Sequence, residues 1–150
     1  MRVATACSIL ACLTMPAWAQ DHQMIPSADQ VKWGPAPPVF PKGAEFAVLA
    51  GDPGKQDLFV IRLKLPANYK IPAHTHPTDE NVTVISGLFN AGMGDKLDMA
   101  KGVAFKPGGF AAVPANARHF AWTTEPTIVE VSAMGPFAMT YVDPKDDPSK

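Results

Sequence analysis

The sequence lacks a strong charge of either sign. Its 13 Lys and Arg residues nearly balance its 14 Asp and Glu residues, so the formal net charge is −1. A nucleic-acid-binding protein would need a basic face, and the balance therefore argues against a nucleic-acid partner. No run of like charges marks a membrane-surface segment. With 47% hydrophobic residues in a chain of 150, there is enough apolar material for the core of one globular domain.

Long hydrophobic runs are missing too. An apolar run at residues 3–13 is too short to span a bilayer, and a small-residue site ending at Ala19 follows it. This layout predicts a secretory signal peptide over residues 1–19, cleaved after Ala19. We therefore expect a periplasmic or secreted mature chain with no transmembrane anchor. A buried N-terminal helix and a lipid anchor on Cys12 are the alternatives.

Cysteine is nearly absent. The sequence has two cysteines, Cys7 and Cys12, and both fall within the predicted signal peptide. The mature chain would then have no thiol, which excludes disulfide bonds and cysteine nucleophiles. Any chemistry in the mature protein must be carried by other side chains.

Proline and glycine, by contrast, are abundant, with 16 and 11 residues respectively. They separate short apolar runs such as residues 45–50, and this punctuation favours strands and turns over helices. Eight or nine short strands are predicted, without a long helix. Such a pattern indicates an all-β sandwich or barrel, here placed at residues 45–143.

The regions on either side of the predicted barrel differ from it in composition. Residues 20–44 contain the stretch WGPAPPVFP and predict an irregular, proline-rich N-terminal arm. Apolar side chains such as Val39 and Phe40 indicate that this arm packs on the rest of the protein. Residues 144–150 predict a polar, frayed tail.

Two of the four histidines, His74 and His76, lie one residue apart in the stretch IPAHTHPTDENVTVISG. Residues two apart in a strand point to the same side, so both imidazoles can face one space. Glu80 opens the next run, and its carboxylate can return to that space. Imidazole nitrogen with carboxylate oxygen suits a divalent Zn, Mn, Fe, Ni or Cu ion. The alternative is a pair of ordinary surface histidines.

A third nitrogen ligand is expected from another strand, and His119 in VPANARHFAWTT is the candidate. Strand parity places mainly small or apolar residues around such a metal. The predicted lining consists of Val82, Val84, Ala117, Ala121 and Thr123. This lining suits a small, partly apolar ligand bound directly to the metal, rather than a highly charged one.

Both stretches match the motifs of a known family position by position. Where the first cupin motif has Gly, His, His, Glu and Gly, this chain has Asn68, His74, His76, Glu80 and Gly87. Where the second has Gly, Pro, Gly, His and Asn, it has Gly108, Pro114, Asn116, His119 and Thr123. The chain thus resembles a small single-domain cupin. Asparagine replaces glycine at two turns, where it tolerates a left-handed backbone nearly as well.

The resemblance implies a cupin barrel, which is a jelly roll or double-stranded β-helix, with one divalent metal at three histidines and one glutamate. Cupins include dioxygenases, isomerases, lyases and decarboxylases, and also non-catalytic binding domains. We expect an exported protein that acts on a small organic molecule, in the manner of a dioxygenase. A periplasmic domain that binds or senses a small ligand is the alternative, and a metal-stabilised structural domain is a third. A homodimer, through an edge strand or the arm, is also implied.

Overall fold

The fold is given by a computed structural model that describes residues 23–150. The predicted signal peptide lies outside the described residues. The described part is all-β, as predicted, with eleven strands and three short 3₁₀ helices at Ala28–Gln30, Met99–Lys101 and Pro144–Asp146. The strands are β1 (Gly34–Pro35), β2 (Glu45–Ala50), β3 (Leu58–Leu65), β4 (Lys70–Thr75), β5 (Glu80–Ser86), β6 (Phe89–Met93), β7 (Val103–Phe105), β8 (Phe110–Val113), β9 (His119–Thr123), β10 (Thr127–Met134) and β11 (Thr140–Tyr141). No helix within these residues is long and apolar enough to cross a membrane.

The strands form two antiparallel sheets. The larger sheet has the order β1-β2-β3-β10-β5-β8, and the smaller one has the order β11-β4-β9-β6-β7. The main hydrophobic core takes residues from both sheets, for example Ile61 and Val131 from the larger and Ile71 and Ala121 from the smaller. The two sheets therefore enclose one core between them, which confirms the predicted jelly-roll barrel.

Strand β3 shows why these residues form a half-buried sheet. Its sequence alternates, and Phe59, Ile61 and Leu63 are at most 5% exposed. Arg62 points to the outer side, where its guanidinium lies 3.0 Å from the carboxylate of Glu130 on the neighbouring strand. Because side chains of a strand alternate between faces, the apolar set of β3 faces the core while its charged set stays outside.

Strand β9 departs from this alternation, since all five of its residues are buried. The His119 and Ala121 side chains face the main core region, while Phe120 and Trp122 belong to a second apolar cluster that also includes Ala73. The second cluster covers the outer side of the smaller sheet. Side chains therefore pack on both faces of β9, and this packing fixes the position of its first residue, His119.

Candidate metal centre

Strand pairing brings the candidate ligands of the two motifs together. His74 lies in β4, and Glu80 and His119 are the first residues of β5 and β9. Strands β4 and β9 are antiparallel neighbours in which His74 and His119 are register partners, and their ring centroids are 4.2 Å apart. His76 follows the end of β4, with its ring centroid 5.0 Å from that of His74. The four predicted side chains thus meet in one place.

The nitrogen atoms of this group are close enough to share one ion. One ring nitrogen each from His74, His76 and His119 lies within 4.8 Å of the others, and all three residues are buried. The carboxylate of Glu80 approaches from the larger sheet, 3.6 Å from Nε2 of His76 and 3.4 Å from Nε2 of His119. The set offers three nitrogens and one carboxylate.

The backbone fixes the proton on each imidazole. The Nδ1 atoms of His74, His76 and His119 lie 2.7, 2.7 and 3.0 Å from the carbonyl oxygens of Pro72, Ala138 and Ala117, respectively. A carbonyl oxygen can only accept, so each neutral ring carries its proton on Nδ1 and donates it there. Each Nε2 is then left with a free lone pair. Backbone carbonyls play this orienting part for histidines that bind metals in proteins generally.

The ionisation of the group favours cation binding. Burial first, and then the neighbouring histidines His119 and His76, lowers the pKa of His74 to about 3. Burial would raise the pKa of Glu80, but the hydrogen bond with His119 and the nearby imidazoles together keep it below its ordinary value. Burial likewise opposes charge on His119, yet its bond to Glu80 raises the pKa of His119 overall. At neutral pH the site contains an ionised carboxylate beside an imidazole that stays neutral.

One buried atom supports a metal directly. Nε2 of His76 is buried and finds no hydrogen-bond partner within the part of the chain that the structure describes. A buried polar atom without a partner is costly, and the lone pair on this one points into the site that the other ligands share. Borderline divalent metals accept both nitrogen and carboxylate oxygen, so the residues present fit such an ion.

The two asparagines that stand where cupin motifs have glycine both adopt left-handed backbone. Asn68 has φ 58° and Asn116 has φ 62°. Asparagine is one of the few residues that enters this region at low cost, so the substitution keeps both turns intact. The two φ angles agree with the expectation that asparagine is tolerated at these turns.

Asp79 has a structural role that the sequence alone does not predict, because a polar residue beside a turn is usually exposed to solvent. Its Oδ1 accepts a hydrogen bond from the main-chain N–H of Ala115, 2.8 Å away. Ala115 lies in the turn that leads to His119, and that turn is closed by the N–H of Ala117 donating to Pro114 (3.1 Å). Asp79 therefore ties the loop after β4 to the turn before β9.

A small apolar cavity adjoins the histidines. The space in which the centre of a water molecule can lie has a volume of about 40 Å³. This is room for about three waters. Its polar lining is limited to the three histidines and Glu80. The remaining walls are apolar, from Phe40, Ile61, Leu63, Ile71, Val82, Phe89, Ala91, Ala111, Val113, Ala121, Val129, Val131, Phe137 and Met139.

The five residues predicted to line the site occupy different places in the structure. Val82 and Ala121 line the cavity, whereas Val84, Ala117 and Thr123 do not. Val84 faces inward but packs deeper in the core, at 2% exposure. Ala117 belongs to the turn before β9. Thr123 is at the far end of β9, where its hydroxyl donates to the carbonyl of Pro66 (2.6 Å).

Several walls of the cavity come from segments that lie far from both motifs. Phe40 belongs to the N-terminal arm, and Phe137 and Met139 to the segment between β10 and β11. Only their apolar character was visible in the sequence. Strand parity predicts which side of a strand a residue takes, but it cannot place a residue from an irregular segment.

A family model described as a domain of unknown function, DUF4437, matches residues 16–140. No curated protein matches the chain. The family model covers most of the sequence, including both metal-ligand motifs.

Solved structures with the same fold extend the comparison. A candidate acetylacetone dioxygenase from Methylibium petroleiphilum is 23% identical, with TM-score 0.63, over 87% of this chain and 88% of its own. The polyketide cyclase RemF from Streptomyces resistomycificus is 18% identical, with TM-score 0.67, over 87% and 89%. An RmlC-like cupin from Shewanella frigidimarina is 14% identical, with TM-score 0.59, over 77% and 91%. At these identities the likeness shows the fold.

Proposed function

The chain belongs to the DUF4437 family and has the fold of cupins, and on that premise we propose that it is an exported metal-dependent enzyme. It holds one divalent transition metal through three histidines and Glu80. Its substrate is a small, partly apolar organic molecule, and its reaction is of the dioxygenase type. The observation that carries this proposal is the convergence of one ring nitrogen from each of three buried histidines in an otherwise apolar cavity.

The apolar walls support the substrate class. Among residues 23–150, only the three histidines and Glu80 bring a charged or polar side chain to the cavity, and no hydroxyl lines it that could hold a phosphate or a sugar. A ligand must therefore be oriented by the metal and by shape. The free volume of about 40 Å³ favours a compact molecule.

Glu80 is the one carboxylate of the cavity, and it stands 3.4 to 3.6 Å from two imidazoles. Since its pKa is held below the ordinary value, it is ionised at neutral pH and can accept a proton at a carboxylate oxygen. An enolisable dicarbonyl such as acetylacetone suits this arrangement, because it can lose a carbon-bound proton and present two oxygens. A bound divalent metal would supply Lewis acidity and, if redox-active, the means to use dioxygen.

Two tyrosines, Tyr69 and Tyr141, donate their hydroxyls to the N-terminal arm. The hydroxyl of Tyr141 donates to the carbonyl of Val39 (2.8 Å), and that of Tyr69 donates to the carbonyl of Pro41. Burial raises the pKa of both phenols, so they remain protonated donors in the structural frame. Proton transfer in the cavity then falls to Glu80.

A second candidate function is non-catalytic binding or sensing of a small ligand. It is favoured by the same scarcity of acid-base groups, since only Glu80 could move a proton. Export and a homodimer remain predictions, from the sequence pattern and from the cupin resemblance respectively.

The first experiment is elemental analysis of the full chain purified from its own compartment. We expect about one equivalent of a divalent metal in the wild type and none in His119→Ala, while Arg118→Ala, an exposed neighbour, keeps the metal. Equal metal content in all three proteins would contradict the assigned site.

The second experiment loads the protein in turn with Fe, Mn, Ni, Cu and Zn and measures oxygen uptake with acetylacetone. Uptake with incorporation of both oxygen atoms into product supports the enzyme. A rise in melting temperature with the diketone recovered unchanged supports the binding alternative. Because Glu80 is also a proposed metal ligand, Glu80→Gln is compared with the wild type at equal metal content, and it should then suppress turnover more than diketone binding.

A further inference from the structure

Phe40 reaches the cavity from outside the barrel strands. It belongs to the N-terminal arm, yet it is 6% exposed and lines the same cavity as the metal ligands. Its ring stacks on Phe137 with centroids 5.8 Å apart and planes 10° apart. Phe137 in turn lies 5.6 Å from the ring of His76. Phe40 is thus separated from a metal ligand by one aromatic ring.

The arm is held at both sides of Phe40 by side chains of the barrel. Tyr141 donates its hydroxyl to the carbonyl of Val39, and Tyr69 donates its hydroxyl to the carbonyl of Pro41. Within the arm, the N–H of Phe40 donates to the carbonyl of Pro37 (2.9 Å). The residues flanking the aromatic ring are therefore anchored, and the ring has a defined position.

The sequence of the arm adds stiffness to these anchors. Pro37, Pro38 and Pro41 each lock the φ angle of their own residue. Fewer conformations are open to the segment before it packs, so less entropy is lost when it holds Phe40 in place. A loosely attached arm would not need two tyrosine hydroxyls bound to the carbonyls on either side of Phe40.

We propose that Phe40, held by Tyr69 and Tyr141, is a specificity-determining residue that limits the length of the ligand in the cavity. The inference rests on the proposed function in one respect, namely that the cavity takes a small organic molecule. Truncating the ring would extend the cavity past Phe137, because a core only partly collapses around a deleted side chain. The arm is then a fixed wall that selects compact substrates.

The test uses the metal-loaded full chain and two diketones. One is acetylacetone, and the other is its homologue in which one terminal methyl is replaced by a pentyl chain. Affinity is measured by calorimetry for the wild type, Phe40→Ala and the matched control Phe110→Ala. Phe110 is the same residue type but is 57% exposed on β8, away from the cavity lining.

Phe40→Ala should improve the affinity for the pentyl homologue relative to acetylacetone by at least about tenfold, the scale of one or more methylenes in an apolar pocket. Phe110→Ala should keep the wild-type ratio. Tyr69→Phe and Tyr141→Phe should shift the ratio in the same direction by less. If Phe40→Ala does not fold, Phe40→Leu takes its place. An unchanged ratio in the folded Phe40 variant overturns the proposal.

A metal-free measurement separates this proposal from the function on which it rests. Benzene should raise the melting temperature of metal-free Phe40→Ala but not that of the wild type or Phe110→Ala, because only the truncated cavity admits an added ring. If neither diketone binds any of the proteins and benzene still stabilises only Phe40→Ala, the role of Phe40 in limiting the cavity is supported and the proposed diketone function is contradicted. If benzene does not stabilise Phe40→Ala either, the proposal that Phe40 limits the cavity is contradicted.

Discussion

The main-chain N–H of Asn116 donates a hydrogen bond to the carbonyl oxygen of His76, 2.8 Å away. This bond joins the turn of the second motif directly to a histidine of the first. Asn116 also lies three residues before His119. Its backbone conformation therefore influences the positions of both His76 and His119. The geometry of the metal centre therefore depends on a residue that is not itself a candidate metal ligand.

Substitution at Asn116 tests this dependence. Asn116→Gly should leave the free energy of unfolding and the metal affinity nearly unchanged, since glycine adopts φ 62° freely. Asn116→Ala should cost about 1 to 2 kcal/mol of stability, because a Cβ is disfavoured there. Denaturant unfolding and metal titration measure both quantities. Equal stability of the glycine and alanine variants would show that the left-handed turn is unimportant.

Asp79 offers a second test, because its carboxylate accepts from Ala115 in the turn before His119. Asp79→Ala should lower stability by about 0.5 to 1.5 kcal/mol, the usual net value of a hydrogen bond, and should weaken metal binding. Asp79→Asn retains an acceptor oxygen and should recover most of both. Asp95→Ala, which removes an exposed ion pair with Arg118, is the control, and a loss of metal affinity there as large as in Asp79→Ala would argue against the role of Asp79.

Gly135 supports His76 through the backbone. It opens the segment whose Ala138 carbonyl accepts from Nδ1 of His76, and a Cβ at Gly135 would lie 2.1 Å from the carbonyl oxygen of Lys55. Gly135→Ala must displace that segment, and we expect a loss of about 1 to 3 kcal/mol in stability, as for other overpacked positions. Metal affinity should fall with it.

Gly34→Ala is the matched control for Gly135→Ala, because a Cβ at Gly34 meets nothing within 4 Å. Thermal unfolding and metal titration of the two variants in parallel separate a local clash from the general effect of adding a methyl group. If Gly135→Ala behaves like Gly34→Ala, the support of His76 by this segment is refuted.

The buried His74 predicts how the stability of the metal-free protein depends on pH. Its pKa is about 3 in the folded chain, against an ordinary 6.5 when exposed. Between these values the unfolded state binds a proton that the folded state does not, so stability falls as pH falls from 6.5 towards 3. The slope reaches about 1.4 kcal/mol per pH unit.

His74→Gln removes this titration and should make the stability of the metal-free chain fall less steeply across the same range. The opposite shift of His119, whose pKa is raised, operates in both proteins, so the comparison isolates His74. Urea unfolding at a series of pH values measures the two curves. Parallel curves would mean that His74 is not held neutral by the fold.

Strand parity accounts for much of what could be predicted. It places His74 and His76 on one side, aligns His119 with Ala121, and turns Phe120 to the opposite face, as the structure has them. Val84 and Thr123 also have the inward parity, but neither side chain lines the cavity. Parity specifies a face of the sheet, whereas the depth of a residue along the barrel depends on how both sheets pack.

Residue types and their spacing within each motif predict the all-β class, the cupin resemblance and the four candidate metal ligands, although these ligands come from different strands and their ends. Tertiary packing supplies the rest. It brought Phe40 and Phe137 to the cavity and the carbonyl of Ala138 to His76, across long separations in the chain. Such contacts arise from the packing of irregular segments, which follow no sequence period and are positioned only once the barrel has closed.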